Sequence, residues 1–183
     1  MVAQIDYTPT KDKIAKVTHL PVTRSKGTMQ VFTAPQRSFY ADSIVQALHV
    51  AVQGKQVLVV QFFQGGINQG VDRPRRLAQN LVWLRCDLDR NIDSQSPSLS
   101  EAETQAILDL WAHTRDSIDS GSYSLFVLDE LNLAVQLGLI PESEVLETLQ
   151  RRPDYVDIVL TGADIPPSFS DAADQVTHRR SQT

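Results

Sequence analysis

Two adjacent carboxylates, Asp129 and Glu130, are the residues whose types and position best support chemistry in this chain. They directly follow the apolar run 125–128, and the amide Asn132 comes two residues after Glu130. An apolar run without alternation predicts a strand buried on both faces of a parallel sheet. Ligands of such sheets bind beyond the carboxyl ends of the strands, so a bound ligand would lie beside these carboxylates. The alternative, an ordinary strand end that happens to be acidic, stays open because aspartates commonly follow strands.

The other polar candidates do not form a second site. The four histidines, at 19, 49, 113 and 178, lack the spacing of metal ligands, so no zinc site is predicted. Ser38 has no Gly-x-Ser-x-Gly context, which argues against a hydrolase nucleophile. Cys86 is the single cysteine, and its apolar neighbours predict a small buried residue.

Length and charge narrow the classes of protein further. A chain of 183 residues with 42% hydrophobic composition fits one domain with a real core. The net charge of −5 is divided unevenly, +3 over residues 1–27 and −8 over the remainder, which does not indicate nucleic-acid binding. No apolar stretch approaches 20 residues and the N-terminus lacks a leader-like apolar region, so we expect a cytoplasmic protein without a membrane span.

Apolar runs alternate with amphipathic segments, which predicts an α/β fold with a mainly parallel sheet and helices on both faces. The predicted strands, about six, lie near 29–33, 56–63, 81–86, 124–129, 155–161 and 174–178, the last at an edge. Residues 1–27 read as a basic arm, either a solvated tail or a contact for an acidic surface. Residues 28–183 form the predicted domain. Its connection 87–98 is long and acidic, with Leu88 and Ile92 as its core residues.

Helical spacing and end signals place the helices. Residues 39–53 predict a first helix with an inward face of Ile44, Val45, Leu48 and Val52. Residues 67–80 predict a polar loop leading to a short helix. Ser98 and Glu101 have the spacing of a capping box, opening a helix that runs to about residue 120. Further helices are predicted near 131–137, 141–150 and 168–173.

Four segments in one order carry a family resemblance: Val59-Val60-Gln61-Phe62-Phe63-Gln64-Gly65, Val127-Leu128-Asp129-Glu130-Leu131-Asn132, Leu160-Thr161-Gly162 with Pro166, and Ala173-Asp174-Gln175-Val176-Thr177. Over about residues 28–178 this set resembles the P-loop-type ATP:corrinoid adenosyltransferases. Those enzymes transfer the adenosyl group of ATP to the cobalt of a reduced corrinoid, cob(I)alamin or cob(I)yrinic acid a,c-diamide.

The resemblance implies a single P-loop NTPase-like (RecA-like) domain, a homodimer, and magnesium ATP and a corrinoid as ligands if activity is retained. It implies a magnesium ligand at Glu130, beside Asp129. It places the cleft at five residues: Gln61, Gln64, Asn132, Thr161 and Gly162.

The phosphate loop departs from the family pattern Thr-Gly-Asn-Gly-Lys-Gly-Lys-Thr-Thr. The equivalent residues are Thr33, Ala34, Pro35, Gln36, Arg37, Ser38, Phe39, Tyr40 and Ala41, and only the first threonine is kept. The missing glycines are the residues that let a backbone wrap phosphates with its N–H groups inward. Phe39 replaces the lysine and Tyr40 the magnesium-binding hydroxyl, while Arg37 keeps one positive charge. A normal triphosphate cradle is therefore not expected.

Other family residues are also replaced. Gln64 stands for a lysine and Ala163 for an arginine, and residues 93–95 lack the aromatic element that packs near the corrinoid. The C-terminal 179–183 lacks the family's basic, histidine, proline and aromatic pattern. Two hypotheses follow: a non-catalytic binding or regulatory descendant, with a possible protein partner, or an active adenosyltransferase with an unusual ATP site. In the first, Asp129 and Glu130 would cap the following helix.

Overall fold

One mixed sheet organises the chain. The computed structural model describes residues 26–34, 41–66, 68–92 and 98–179. Within these residues the strands are Met29–Ala34 (β1), Val57–Gln61 (β2), Arg75–Ala78 (β3), Leu81–Arg85 (β4), Leu125–Asp129 (β5), Asp157–Ala163 (β6) and Gln175–His178 (β7). They form a seven-stranded sheet in the order β3-β4-β2-β5-β6-β1-β7. All neighbours pair in parallel except β3, which pairs antiparallel with β4.

Helices cover both faces of this sheet. In the described part of the chain they are Ala41–Val52 (α1), Glu101–Asp119 (α2), Leu131–Gln136 (α3), Glu142–Arg151 (α4) and Pro167–Ala172 (α5). Alternate residues of β2 belong to different cores, since Val59 clusters with Ala47 of α1, whereas Val60 clusters with Leu110 of α2. The α1 face holds the smaller core, and the opposite face holds the larger one. The predicted α/β architecture is confirmed at this level.

The predicted strands are confirmed with small shifts at their ends, and β7 is an edge strand as expected. All residues of β2 and β5 are buried, as their unbroken apolar runs predict. In the 87–98 connection, Leu88 and Ile92 are buried as expected. The arm over residues 1–25 lies outside the described residues, as does most of the phosphate-loop equivalent. No helix in the described ranges is long and apolar enough to cross a membrane.

The prediction of a short helix within residues 67–80 is wrong. The structure has the strand β3 there, which returns antiparallel beside β4 through the turn at Gln79 and Asn80. The arginines of this segment gave no apolar alternation, so pairing with β4 decided its structure rather than local pattern. For this reason β3 is the one strand of the seven-stranded sheet that the sequence did not predict.

The predicted capping box was two residues too early. Ser100, rather than Ser98, is the N-cap of α2, and its hydroxyl accepts a hydrogen bond from the amide of Glu103 at 3.2 Å. The Glu103 carboxylate accepts in return from the Ser100 amide at 2.8 Å. Ser98 with Glu101 and Ser100 with Glu103 both have the required spacing, but the reciprocal hydrogen bonds form between Ser100 and Glu103.

The inward face of α1 also differs from the prediction. The buried positions carry small side chains: Ser43, Ala47 and Ala51. Three of the four residues predicted to face inward are exposed instead: Val45 at 64%, Leu48 at 39% and Val52 at 83%. Small residues let the helix axis approach β2 and β5 closely, so the face of α1 that carries small side chains is the one that packs on the sheet.

Replacing Ser100 with alanine is expected to destabilise the fold by about 1 kcal/mol, because an amide at the start of α2 loses its acceptor. Ser98→Ala is the matched control and should change stability by less than about 0.5 kcal/mol. Urea unfolding followed by circular dichroism measures both. Equal effects of the two variants would contradict the assignment of Ser100 as the cap.

The same capping box predicts a dependence on pH. The Ser100 amide and the Arg90 guanidinium hold the pKa of Glu103 below its ordinary value. A lowered folded-state pKa stabilises the fold above the unfolded pKa, and this contribution is lost as pH falls through the folded pKa. The stability difference between wild type and Glu103→Gln should therefore be constant near neutral pH and shrink below about pH 4.3. A stability difference that stays unchanged down to pH 2 would contradict the contribution of the ionised Glu103 to the fold.

Candidate active site

A row of polar side chains crosses the carboxyl ends of the central strands. Gln61 of β2 lies beside Asp129 of β5, which lies beside Thr161 of β6. Arg85 of β4 extends the row on the other side of Gln61. Because side chains alternate along a strand, the row shares the sheet face of Val59 and hence of α1. We call Arg85, Gln61, Asp129 and Thr161 the polar row.

The Asp129 carboxylate is the centre of the polar row. The Gln61 Nε2 donates to its Oδ2 at 2.9 Å, and the Thr161 Oγ1 donates to its Oδ1 at 2.6 Å. All three residues are buried. A buried carboxylate is tolerated only when hydrogen bonds replace its water, and here each oxygen accepts at least one. The row therefore fixes both the position and the orientation of Asp129.

Trp83 and Arg85 hold the other end of Gln61. The Gln61 Oε1 accepts from the Trp83 Nε1 and from the Arg85 Nε, each at 2.9 Å. The Arg85 guanidinium lies 4.3 Å from the centre of the Trp83 ring, in cation–π contact. Burial lowers the pKa of Arg85, and the negative charge of Asp129 opposes that shift. Trp83 is half-buried and combines these polar contacts with packing in the core on the α1 side of the sheet.

Sequence reasoning did not find Arg85. The signal for Arg85 was the alternation of side chains along a strand, since residues 83 and 85 share a face of β4. Arg85 is the last residue of β4 and pairs in register with Gln61. The register itself was not readable from the sequence.

Glu130 adopts a left-handed backbone conformation, with φ of 65°. This conformation is uncommon for a residue other than glycine. Its amide donates to the Thr161 carbonyl at 2.7 Å, which ties the turn after β5 to β6. Glu130 is buried and occupies the N-cap position of α3, yet its side chain makes no capping hydrogen bond. The Asp129 oxygens face the polar row. The expectation that these carboxylates cap the following helix is therefore not met by a side-chain hydrogen bond from Glu130.

Asn132 and Gly162 meet behind the polar row. The Asn132 Nδ2 donates a short hydrogen bond to the carbonyl of Ala163, and its Oδ1 is buried without a hydrogen-bond partner. A Cβ on Gly162 would overlap the Asn132 side chain. The predicted cleft residue Gly162 thus has a packing reason to be glycine, and Asn132 serves to hold the end of β6.

The remaining predicted site residues are only partly described. Thr33, near the end of β1, is buried and pairs in register with Gly162, while Ala34 pairs with Ala163. Gln64 is half-buried beyond the end of β2 and makes no bond within the polar row. The other phosphate-loop equivalents lie outside the described residues: Arg37, Ser38, Phe39 and Tyr40.

Neither a metal cluster nor a reactive thiol accompanies the row. In residues 26–34, 41–66, 68–92 and 98–179, no group of three or more histidine, cysteine, aspartate or glutamate side chains is placed to hold a metal ion. Cys86 is buried as predicted, and burial raises the pKa of its thiol to about 12. It therefore stays protonated and unreactive near neutral pH.

A cavity of about 420 Å³ lies beside α2 and was not predicted from the sequence. Among the residues that line it are Asp72, Asp87 and Asp109, together with Arg85 and Gln105. Two of these carboxylates already have partners, since Arg73 pairs with Asp87 and Gln105 donates to Asp109. The lining of the cavity is acidic, but two of its three carboxylates already form bonds to other side chains of this chain.

Comparison with known proteins decides the family. The family model for ATP:corrinoid adenosyltransferase BtuR/CobO/CobP matches residues 25–182, nearly the whole chain. The chain belongs to this family. The resemblance drawn from four short segments is thereby confirmed. Gln61, Asp129 and Thr161 of the polar row come from three of those segments, and Arg85 pairs in register with Gln61.

Individual relatives agree with this membership. A corrinoid adenosyltransferase of Escherichia coli K12 is 26% identical over 155 residues, covering 85% of this chain and 77% of the relative. That of Pseudomonas aeruginosa is 31% identical over 134 residues, covering 68% and 60%. An uncharacterized protein of Nostoc sp. is 41% identical over 64 residues, which is 35% of this chain but only 17% of that longer protein.

Replacing Thr161 with valine is expected to destabilise this adenosyltransferase-family chain by about 1.5–3 kcal/mol, because a buried carboxylate oxygen loses a donor. Thr177→Val is the matched control, since Thr177 is half-buried on the edge strand β7 and has a similar shape change. Thermal and urea unfolding measure both. A loss for Thr161→Val no larger than for the control would show that the bond to Asp129 does not support the fold.

Proposed function

We propose that this chain is a non-catalytic member of the ATP:corrinoid adenosyltransferase family, a pseudoenzyme with a single P-loop NTPase-like (RecA-like) domain and a degenerate phosphate loop. It acts in the cytoplasm as a binding or regulatory protein. The observation that carries the proposal is the segment 33–41, Thr-Ala-Pro-Gln-Arg-Ser-Phe-Tyr-Ala, which stands where the family has its phosphate loop.

The chemistry of that segment disfavours triphosphate. Residues with a Cβ replace three glycines, at 34, 36 and 38, and such residues rarely adopt the backbone angles of a phosphate cradle. Pro35 has no amide hydrogen to donate. Phe39 brings an apolar ring to the position of the phosphate-binding lysine, and Tyr40 a bulky phenol to the position of a small hydroxyl. We expect these rings to pack at the start of α1 and make the cleft more apolar.

The described residues do not by themselves fit a magnesium ion. Both Asp129 oxygens accept hydrogen bonds within the polar row, and the neighbouring Glu130 is buried. Magnesium bound by one or two carboxylates expects substrate phosphates to complete its shell. The sequence of the phosphate loop argues against bound phosphates, so a magnesium ion would lack the substrate oxygens that complete its shell.

An active adenosyltransferase with an unusual ATP site is the second candidate. Its support is that Thr33, Gln61, Asp129, Glu130 and Thr161 still converge at the carboxyl ends of the strands. In such an enzyme the cobalt(I) corrinoid is the nucleophile, and the protein orients the ribose carbon and neutralises the leaving triphosphate. Arg37 would have to supply that neutralisation almost alone.

The surface offers places for a regulatory partner. Arg75 and Arg76 are exposed on the edge strand β3, and Arg73 is exposed nearby in a pair with Asp87 at 2.9 Å. Asp87 and Asp89, in the described part of the 87–98 connection, are also exposed. Surface charges of this kind set the rate and specificity of association more than its affinity.

Magnesium ATP is expected to bind with a dissociation constant above about 100 micromolar. Each charged hydrogen bond to phosphate contributes about 1.5–3 kcal/mol, and losing two or three raises a micromolar constant by several powers of ten. Isothermal titration calorimetry with magnesium ATP, and separately with a corrinoid, measures this. Tighter ATP binding that weakens in Arg37→Ala or Glu130→Ala would favour the active enzyme.

A restored loop provides the matched control. The variant that combines Ala34→Gly, Gln36→Gly, Ser38→Gly, Phe39→Lys and Tyr40→Thr returns the glycines, the lysine and the hydroxyl to the segment. If the substitutions at this segment are what prevents binding, the variant should bind magnesium ATP at least about 100-fold more tightly than wild type. Equal and weak binding by both folded proteins would place the cause elsewhere in the cleft.

A further inference from the structure

The two edges of the sheet are built differently. The edge strand β3 follows Pro74, carries the exposed charges Arg75 and Arg76, and has an irregular register with β4 between Arg76 and Ala78. Charges, a proline and a bulge are devices by which proteins prevent a further strand from adding to a sheet edge. The β3 edge is therefore protected against strand addition.

The opposite edge strand, β7, has none of these devices. Its four residues, 175–178, include no proline, aspartate, glutamate, lysine or arginine, and they pair with β1 without a shift in register. In the described part of the chain, β7 has a hydrogen-bonded strand on one side only. Part of its backbone N–H and C=O groups therefore face away from β1. Both edge strands are four residues long, so length does not account for the difference.

One segment outside the described residues has the composition of a strand for this edge. Residues 17–19 read Val-Thr-His, the same three residues as 176–178 of β7. Valine and threonine favour strands. Lys16 precedes this run, and Pro21 follows it after Leu20. A strand formed here would have a charge at one end and a proline at the other, which are the edge devices that β7 lacks.

We propose that residues 17–20 add to the sheet as a further strand, antiparallel along the free edge of β7, with Thr18 opposite Thr177. The two Val-Thr-His runs then meet in opposite directions, so each valine lies opposite a histidine and the threonines lie opposite each other. Cross-strand threonine pairs stabilise antiparallel strands. The outward backbone groups of β7 gain hydrogen-bond partners within the protein.

The chain is long enough for this arrangement. β1 lies directly beside β7, so the proposed strand would lie about 10 Å from β1 at the usual spacing of strands. Antiparallel pairing places Leu20 opposite Gln175, at the end of β7 that lies beside the start of β1. The chain from Leu20 to Gly27 can span about 23 Å, which is more than twice the required distance.

The connection to β1 favours this segment over other occupants. Main-chain hydrogen bonds at a sheet edge also accept a strand from a second copy or from another protein, because they carry little sequence information. A segment joined to the sheet by a short connection has an effective concentration in about the millimolar range. The family match begins at residue 25, so the proposed strand lies outside the part of the chain that the family model describes.

A pair of cysteines tests the register in the full chain. Thr18→Cys combined with Thr177→Cys places two thiols opposite each other on one sheet face, within the Cα separation of a disulfide. Mild oxidation should give a disulfide within one chain. His19→Cys combined with Thr177→Cys is the matched control, and it should form at least about tenfold less disulfide because residue 19 faces the other side of the sheet. The native Cys86 is buried and does not compete.

Isotope labelling shows which chain supplies the strand. An equal mixture of ¹⁵N-labelled and unlabelled double-cysteine chains is oxidised and digested, and the linked peptides are weighed by mass spectrometry. The expected result is peptides in which both halves carry the same label. Peptides with one labelled and one unlabelled half would come from two chains.

Hydrogen exchange tests the pairing without any change in β7. Replacing both Val17 and Thr18 with proline removes a donor on each side of the proposed strand. The β7 backbone amides should then exchange at least about tenfold faster than in wild type, because the edge is open to water. Ala3→Pro with Gln4→Pro is the matched control and should leave the exchange of β7 unchanged. Circular dichroism verifies that both variants fold.

Three results would overturn the proposal. The first is an equal yield of disulfide from the two cysteine pairs. The second is a disulfide that joins labelled to unlabelled chains, which would make a second copy the occupant of the edge. The third is β7 exchange that does not respond to the prolines at 17 and 18, which would leave the edge to another protein or to water.

Discussion

The hydrogen bonds to the Asp129 carboxylate are the constraint on which this end of the molecule depends. A carboxylate at the end of a central strand has neighbouring strands on both sides, and burial there is costly unless both oxygens are satisfied. Gln61 and Thr161 meet that need from β2 and β6, so three strands must end in register for the charge to be tolerated. Arg85 and Trp83 then fix Gln61 from β4. The register of four strands is thus coupled to one side chain.

This coupling also separates two roles of the polar row, support of the sheet and contact with a ligand. The polar row is needed for the sheet whether or not a nucleotide binds, because its members satisfy one another. Its presence is consequently weak evidence for catalysis. The sequence of segment 33–41 differs from the family's phosphate-loop pattern, and Gln64 and Ala163 also differ from the residues of the family.

The sequence was sufficient for the parts of the fold that depend on local pattern. Unbroken apolar runs located β2 and β5, and the two carboxylates were correctly placed at the strand end, with Asp129 as the last residue of β5 and Glu130 directly after it. It failed where strand pairing decides the structure: β3 has four residues without alternation and is a strand because it pairs antiparallel with β4. On α1, periodicity identified a real apolar stripe but not the side that packs, since close approach to a sheet selects small residues rather than large ones. Arg85 was missed because its partner, Gln61, is 24 residues away and only the register brings them together.

The position of β1 has a consequence for the order in which the chain can assemble. β1 lies between β6 and β7, and the Met29 amide donates to the Asp174 carboxylate at 2.8 Å across 145 residues of sequence. On a ribosome, the first strand to emerge would have to wait for the last two before either of its edges is covered. The strands β2, β4 and β5 can pair with one another long before that. Synthesis therefore leaves an apolar N-terminal strand unpaired for most of its duration, and loops that close over such distances slow folding. A chain built in this way gains from anything that shields β1 until its C-terminal strands arrive.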